Sequence, residues 1–290
     1  MSTRTCTLCR DGGRFDDSPD VATVNSNVRR FRGEQFTVWR CSGCGSLHTL
    51  EDIDYARYYD GYFMQRQKMD FFARRLFASR LQELERSGLS RHQAVLDYGC
   101  GNGNFVRFLQ DRGYSAARGY DPFTPEFADR SVCARLYDFV SSQDVIEHAP
   151  DSEKFLDELA EVVRRPGGVL AIGTPNAEYI DLRDPLDAVG QLHQPFHRHI
   201  LTGERLVALI ERRGFRVDRV VPRSYVETWW PFVNSVFLFN YMAAVDGTVD
   251  SGFDPIRTRL LLGSPRLLFY GLFGRLLNTR KDVFVMATAM

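Results

Sequence analysis

The sequence predicts an α/β fold in which a parallel, doubly wound sheet follows a small N-terminal module. Strand-like apolar runs alternate with helix-like segments from residue 94 onward, a pattern typical of a parallel sheet covered by helices. A glycine-rich turn joins the first of these strands to the first helix. Two Cys-x-x-Cys pairs lie in the first 50 residues, ahead of the alternation. The length of 290 residues accommodates one large domain and one such module.

Each element follows from the local pattern. Residues 51–90 have the apolar spacing of a helical segment, which ends at Ser87-Gly88. Strands are predicted over residues 94–97, 116–121, 137–142, 168–173, 215–221 and 283–288, and helices over residues 105–112, 152–165 and 203–213. We therefore expect an N-terminal module over residues 1–50, a helical segment over 51–90, an α/β domain over 91–222 and 282–290, and an insert over 223–281.

The composition excludes several classes of protein. The 37 basic and 37 acidic residues give no net charge, which argues against a general nucleic-acid binder. A hydrophobic fraction of 44% is too high for a disordered chain. The sequence starts MSTRTC, without an apolar secretory region, so we expect a cytoplasmic protein with reduced thiols.

Four of the six cysteines form the pairs Cys6-Thr-Leu-Cys9 and Cys41-Ser-Gly-Cys44. Two such turns can present four thiolates to one tetrahedral ion, which predicts a closed, structural zinc site. A redox pair is the alternative. The remaining cysteines, Cys100 and Cys133, are isolated in the sequence, and we expect them to be buried and inert.

The most informative motif is the run VLDYGCGNG at residues 95–103, in which a strand enters a glycine-rich turn. The glycines let the backbone approach a ligand closely, and the next strand ends at Asp121, whose carboxylate can hold ribose hydroxyls. An NAD-dependent oxidoreductase would use the same two features, a glycine-rich turn and an acidic contact to ribose. It is disfavoured because the loop is GxGxG rather than GxGxxG, and because Asp97 would repel a pyrophosphate but attract an aminoacyl cation.

At this point the sequence resembles the class I S-adenosylmethionine-dependent methyltransferases. VLDYGCGNGNF is similar to the first motif of that family and GYDP to the second. YDFVSSQDVIEHAPD and RRPGGVLAIGTPN are similar to its fourth- and fifth-strand segments, and HRHILTGERLVALIERRGFRV to the stretch before its sixth strand. The resemblance implies a Rossmann-like sheet and a cofactor held by Asp97, Gly99, Gly101, Gly103, Asp121, Gln143 and Asp144.

One interval departs from the family pattern. About sixteen residues separate Asp121 from Asp138, where the family usually has a helix, a third strand and an acidic adenine contact. We therefore expect a short helix over residues 124–131 and an abbreviated or missing third strand.

Two histidines are candidates for the base that removes a proton from the acceptor, His148 and His197. His197 matches a histidine in the family's H-x-x-x-x-T pattern. The spacing of Asp144, Glu147 and His148 resembles the divalent-cation site of quinone-pathway O-methyltransferases. Helix capping and packing are the alternative role for Glu147 and His148.

The order of modules is similar to that of deoxysugar C-methyltransferases and of methyltransferases of polysaccharide and natural-product pathways. In that setting Tyr58, Tyr59 and Tyr62 would close over the methionine part of the cofactor; otherwise they are ordinary helix aromatics. We expect methyl transfer to oxygen or carbon of a biosynthetic small molecule that is apolar, sugar-containing or lipid-linked. A catalytically silent scaffold is the alternative. A nucleic-acid substrate is disfavoured by the zero net charge and by the absence of an Asn/Asp-Pro-Pro-Tyr-like motif.

The insert is unusually apolar and then unusually basic. Residues 228–245 carry no charge, but Pro231, Asn234 and Asn240 interrupt them, which disfavours a membrane span. Residues 257–281 contain six basic residues and no acidic one, a pattern typical of interfacial segments. We expect a substrate lid, a homodimer face or a peripheral membrane contact through residues 228–281.

Overall fold

The computed structural model describes residues 3–9, 11–60, 66–277 and 279–290. Within them the strands are β1 (Val21–Asn25), β2 (Gln35–Arg40), β3 (Leu47–Thr49), β4 (Val95–Tyr98), β5 (Ala117–Tyr120), β6 (Phe139–Gln143), β7 (Val169–Pro175), β8 (His199–Ile200), β9 (Phe215–Arg223) and β10 (Asp282–Ala289). The α-helices are α1 (Tyr55–Tyr59), α2 (Phe71–Arg86), α3 (Asn104–Asp111), α4 (Ser152–Val162), α5 (Gly203–Glu211), α6 (Ser235–Val245), α7 (Thr258–Leu262) and α8 (Pro265–Phe273).

The main sheet has the strand order β5-β4-β6-β7-β10-β9. Neighbours from β5 to β7 are parallel, whereas β10 is antiparallel to both β7 and β9. All four residues of β4 are buried, as expected of a central parallel strand covered on both faces. All six strands predicted for the α/β domain are present, and the predicted fold class is confirmed.

The interval between β5 and β6 contains no strand. Two 3-10 helices occupy it instead, at Pro125–Phe127 and Arg130–Ala134. The prediction of an abbreviated or missing third strand is therefore confirmed, and β5 forms one edge of the main sheet.

The N-terminal module has its own antiparallel sheet, in the order β1-β2-β3-β8. The fourth strand, β8, comes from the loop before α5, and it pairs His199 with His48 and Ile200 with Leu47. The two imidazole rings share a hydrogen bond of 2.9 Å between their Nδ1 atoms. A two-residue strand of the α/β domain thus completes the sheet of the N-terminal module.

The helical segment ahead of β4 is two helices rather than one. The side chain of Asp54 caps α1 by accepting from Arg57 N–H, and that of Asp70 caps α2 by accepting from Ala73 N–H. Each cap starts a new helix, which the apolar spacing of the sequence does not reveal. The apolar face of α2 packs against β4 and α3 through Phe77, Leu81 and Leu84.

The insert folds into α6, α7 and α8 between β9 and β10. In the described part of the chain, no helix has the length and hydropathy needed to cross a bilayer. The uncharged run at residues 228–245 enters α6 only at Ser235, where Asn234 caps the helix by accepting from Phe237 N–H. Pro231 and Asn234 thus lie outside the helix, as expected of residues that interrupt one.

Candidate active site

A cavity of about 940 Å³ opens at the carboxyl ends of β4, β5 and β6. In open α/β sheets this edge is the usual place for a ligand. The volume lies at the upper end of the range for ligand pockets, about 300–1,000 Å³. The cavity therefore has room for a nucleoside cofactor together with an acceptor molecule.

The glycine-rich loop forms one wall of this cavity. Gly99 has a φ of 80°, and a Cβ on it would lie 2.3 Å from a methyl carbon of Val145, so a side chain has no space there. Gly101 has a φ of 54° and nothing within 4 Å of where its Cβ would be. Gly101 thus presents bare backbone to open space, which fits a cofactor that lies against it.

The predicted ribose-binding carboxylate is anchored beside this loop. Asp121 accepts hydrogen bonds from the backbone N–H of Gly101 and of Phe123, each at 2.9 Å. A carboxylate offers about four lone-pair positions, so two remain for hydroxyl donors in the cavity. Asp121 lines the cavity together with Gly99 and Gly101.

Asp97 at the end of β4 is ion-paired inside the cavity wall. Arg80 of α2 donates to an Asp97 carboxylate oxygen and to the Ser141 hydroxyl, both at 2.7 Å. Burial raises the pKa of Asp97, and the positive charge of Arg80 opposes that rise. Gln143, the last residue of β6, and Asp144, which follows it, also line the cavity.

Three side chains of the predicted catalytic region converge deeper in the cavity. The ligand atoms of Glu147, His148 and His197 all lie within 4.8 Å of one another. His197 Nδ1 lies 2.5 Å from the Gln191 carbonyl oxygen, so this nitrogen carries the proton and Nε2 bears the lone pair. His197 Nε2 lies 3.9 Å from Glu147 Oε1, an atom without a hydrogen-bond partner among the described residues.

Burial sets the protonation of this group. It lowers the pKa of His197 to about 4, and, with repulsion from neighbouring histidines, it lowers the pKa of His148 well below the ordinary value. It also raises the pKa of Glu147, with repulsion from Asp144 adding to the effect. Both imidazoles are therefore uncharged at neutral pH.

The predicted trio of Asp144, Glu147 and His148 is not the cluster that the structure assembles. Among the described residues, His197 takes the place of Asp144 in the group whose ligand atoms are close enough for one ion. Asp144 has a φ of 55°, and its carboxylate accepts from the Gln143 side chain at 2.6 Å. Asp144 is not a member of this group, and the cation site of Asp144, Glu147 and His148 stays a prediction.

The tyrosines of the helical segment divide between two roles. Tyr58 packs against Phe31 and donates to Glu34 at 2.7 Å, as an ordinary core aromatic. Tyr59 lines the cavity, and its hydroxyl lies 2.9 Å from His148 Nδ1. Tyr62 lies outside the described residues.

The far wall of the cavity is supplied by the insert. It is largely apolar, and its side chains come mainly from α6 and the turn before it: Phe232, Val233, Phe237, Leu238, Phe239 and Met242. The insert is tied across the cavity by the ion pair of Arg66 with Asp250, at 2.8 Å. Side chains of the insert therefore line the cavity, and its role as a lid stays a prediction.

The sequence model of a family described as a methyltransferase domain matches residues 62–220. The chain belongs to this family. It is a methyltransferase, which excludes the oxidoreductase alternative. No curated protein sequence matches this methyltransferase.

Solved methyltransferase structures resemble it at low sequence identity. A Haloferax volcanii complex of the Trm112 methyltransferase activator with a putative methyltransferase shows 15% identity and a TM-score of 0.49, covering 82% of this chain and 99% of that one. An S-adenosylmethionine-dependent methyltransferase of Archaeoglobus fulgidus shows 19% identity and a TM-score of 0.46, with coverage of 79% and 100%. The magnesium protoporphyrin IX methyltransferase of Synechocystis shows 14% identity and a TM-score of 0.44, with coverage of 81% and 97%.

The four paired cysteines of the methyltransferase form one cluster, with all Sγ atoms within 4.8 Å of one another. Cys6 and Cys44, and likewise Cys9 and Cys41, have Sγ atoms 3.7 Å apart, and all four thiols are free. Four sulfurs around one zinc at about 2.3 Å would lie about 3.8 Å apart, so the cluster fits the ion. Cys100 and Cys133 are half-buried thiols, and burial raises the pKa of both, which keeps them protonated.

The N-terminal module of the methyltransferase contacts the backbone of the predicted base, His197, and of its neighbour. The Thr49 hydroxyl donates to the His197 carbonyl oxygen at 2.9 Å, and Arg198 donates to the Glu51 carbonyl oxygen at 2.6 Å. The position of His197 therefore depends on the sheet that the cysteine cluster adjoins.

Arg80 is the site residue that sequence reasoning missed. Its signal was available, because it lies one turn from Phe77 and from Leu84 on the buried face of α2, where a basic residue needs a partner. The partner, Asp97, belongs to the motif already singled out.

Proposed function

We propose that this methyltransferase transfers a methyl group to oxygen, or to carbon, of a small acceptor with a large apolar part. The observation that carries the proposal is the uncharged His197 imidazole, whose orientation is fixed by the Gln191 carbonyl, in a cavity whose opposite wall is apolar. Sugar-containing and lipid-linked acceptors fit the same description if their apolar portion contacts α6.

We further propose that the cofactor lies between the glycine-rich loop and α2. Asp121 would hold the ribose hydroxyls, and the backbone at Gly99 and Gly101 would contact the amino-acid part. Gly103 has a φ of 74° at the start of α3 and packs against the Phe127 ring, so its predicted contact with the cofactor is not part of this proposal. Asp97, Gln143 and Asp144 would face its cationic groups, while Arg80 would face its carboxylate. The bound cofactor supplies the electrophilic methyl group, and the protein supplies orientation and the exclusion of water by the insert.

His197 is the candidate general base in this scheme. With its proton held on Nδ1 by the Gln191 carbonyl, Nε2 is free to accept the proton of an acceptor hydroxyl. His148 lines the cavity and bonds with Tyr59, so it would orient the acceptor or relay a proton. Glu147 lies behind both rings and accepts from the Thr174 hydroxyl at 2.9 Å.

A divalent cation held by Glu147, His148 and His197 is the second candidate arrangement. The orphaned Glu147 Oε1 favours it, because a buried oxygen without a partner is costly unless something binds it. One carboxylate and two imidazoles suit a transition-metal ion. Metal analysis of the purified protein distinguishes the two schemes. If His197 acts as a general base without a cation, we expect one metal per chain, the zinc of the cysteine cluster. If a cation is held by Glu147, His148 and His197, we expect a second metal.

We also propose that the cysteine cluster binds structural zinc. The four cysteine thiolates would fill all four positions of a tetrahedral ion and leave none open for a substrate. The N-terminal sheet receives β8 from the catalytic half and contacts the loop of His197. The zinc would therefore hold the catalytic loop in place without taking part in the transfer.

A screen of acceptors tests the proposed reaction. The protein is incubated with S-adenosylmethionine and with solvent extracts of apolar metabolites or with water-soluble fractions, and products one CH₂ heavier are sought by mass spectrometry. We expect new products and an equal amount of S-adenosylhomocysteine from the apolar extracts. Products from the water-soluble fractions alone would contradict the apolar acceptor, and the absence of any product would favour the silent scaffold.

The insert offers two further partners, a membrane surface and a second copy of this chain. The exposed face of α8 favours the membrane surface, because the charged residues around this face are all basic. A second copy would bring the same basic residues against each other, whereas an anionic lipid surface would attract them.

A further inference from the structure

The exposed face of α8 is apolar, although α8 already buries its other face. Leu267, Gly271 and Gly274 are buried against the rest of the insert. The exposed apolar side chains on α8 and the 3-10 turn after it are Phe269, Leu272, Phe273 and Leu276. A helix repeats about every 3.6 residues, so this spacing of three and four places them on one face, opposite the buried one.

Nearby side chains extend the apolar face. Trp229 is 80% exposed, and the Arg275 guanidinium lies 4.9 Å from its ring centre, which places the indole beside the end of α8. Leu262 at the end of α7 is 71% exposed. Contiguous exposed apolar surface of this kind, rimmed by polar residues, marks an interaction site.

The charges around this face are basic and point outward. Arg266 and Arg275 fall on either side of the apolar stripe, and Arg257 and Arg259 are exposed on and just before α7. Residues 257–281 contain no acidic residue.

The four acidic residues of the insert lie earlier in the chain; Glu227 is exposed and accepts from the Ser224 N–H, and the other three bind arginines outside the insert. Asp246 and Asp254 bind Arg29, and Asp250 binds Arg66. The insert therefore presents its positive charges outward and keeps these negative ones occupied.

The cavity lies directly behind α8. Phe232 donates its backbone N–H to the Gly271 carbonyl oxygen at 2.7 Å, and its ring fills the space where a Gly271 side chain would be. The same residue lines the cavity, as does the half-exposed Ile256 before α7. One layer of side chains thus separates the exposed apolar face from the proposed acceptor site.

We propose that the face formed by Trp229, Phe269, Leu272, Phe273 and Leu276 docks on an anionic phospholipid bilayer. The apolar side chains enter the boundary between headgroups and acyl chains, and Arg266 and Arg275 reach lipid phosphates at its rim. Docking would hold the lid of the cavity against the membrane, where an apolar acceptor is most concentrated. This surface is independent of methyl transfer and goes beyond the proposed reaction.

Co-sedimentation of the full chain with vesicles tests the proposal. We expect strong binding to mixed phosphatidylcholine and phosphatidylglycerol and weak binding to phosphatidylcholine alone. The double variant Phe269→Ser/Phe273→Ser should reduce the partition coefficient at least about tenfold. Arg266→Gln/Arg275→Gln should reduce it roughly tenfold, on the anionic vesicles only.

Two control variants replace exposed apolar residues and exposed arginines outside the insert. Leu136→Ser/Leu186→Ser removes two exposed leucines outside the insert, and Arg118→Gln/Arg135→Gln removes two exposed charges in the β5–β6 part of the chain. Both should bind as the unchanged protein does. Binding of S-adenosylhomocysteine by calorimetry should be the same in all variants, so a failure of docking is distinguishable from a failure of the proposed enzyme.

Fluorescence gives a second readout. The emission of exposed Trp229 should shift to the blue on anionic vesicles, and the Trp229→Phe variant should lose most of that shift. Equal, weak sedimentation with both vesicle types would overturn the proposal. A dimer in sedimentation velocity that becomes monomeric in Phe269→Ser/Phe273→Ser would also overturn it, in favour of a second copy of this chain.

Discussion

Replacing Cys41 by serine is expected to release the zinc and to destabilise the protein by several kcal/mol, or roughly 10 °C in Tm, because structural zinc contributes folding free energy directly. Cys41 is buried, and its Sγ lies 3.7 Å from that of Cys9. Turnover should also fall, since the adjoining sheet holds the His197 carbonyl through Thr49. Metal content by mass spectrometry and thermal unfolding measure the two effects.

Cys133→Ser is the matched control for this substitution. Cys133 is a half-buried thiol outside the four-cysteine cluster, so its loss should leave one zinc per chain and a nearly unchanged Tm. A folded, zinc-free Cys41→Ser protein with full activity would refute the structural role of the metal.

Replacing His197 by alanine is expected to lower kcat by about 10²–10⁴, the range in which general-base catalysis contributes. Affinity for S-adenosylhomocysteine should stay within a factor of about two, because only a group acting on the acceptor is removed. Steady-state kinetics with an acceptor from the screen and calorimetry with the cofactor product measure the two quantities.

His92→Ala serves as the control, because His92 is an exposed histidine outside the cavity. Its kcat should match that of the unchanged protein. Metal content must be followed in parallel: if His197→Ala loses a second metal as well as turnover, the cation scheme replaces the base. Unchanged turnover in His197→Ala would remove this residue from the mechanism.

The main sheet was predictable because its signals are local. Each predicted strand is a short apolar run bounded by turn residues, and the glycines of the first turn permit the positive φ angles that this turn adopts. The missing third strand also followed from a local fact, the short interval between Asp121 and Asp138. The fold class and the shortened region are both confirmed.

The site was less predictable because its geometry depends on long-range contacts. β8 has only two residues, too few for any periodicity, yet it joins the N-terminal sheet to the loop of His197. The turn at Asp144 adopts a positive φ, which spacing along the chain does not reveal. Sequence reasoning therefore grouped Asp144 rather than His197 with Glu147 and His148, and it overlooked Arg80 as the partner of Asp97.

The insert was only partly predictable from the sequence. Its composition predicted an apolar, basic surface, but the same sequence pattern is compatible with a lid, a dimer face and a membrane contact. Only the structure shows that α6 lines the cavity while α8 turns Phe269 and Phe273 to solvent. We therefore propose different roles for the two helices, cover of the cavity for α6 and membrane contact for α8.

Calorimetric titration with S-adenosylhomocysteine tests most directly that the cavity beside the glycine-rich loop is the cofactor site. We expect saturable binding to the unchanged protein, a loss of affinity of at least about tenfold in Arg80→Gln and in Asp121→Ala, since each removes a charged hydrogen-bond partner, and no change in Arg118→Gln. Absence of binding to the folded, zinc-loaded protein at millimolar cofactor would contradict the account, as would equal affinity in all four proteins.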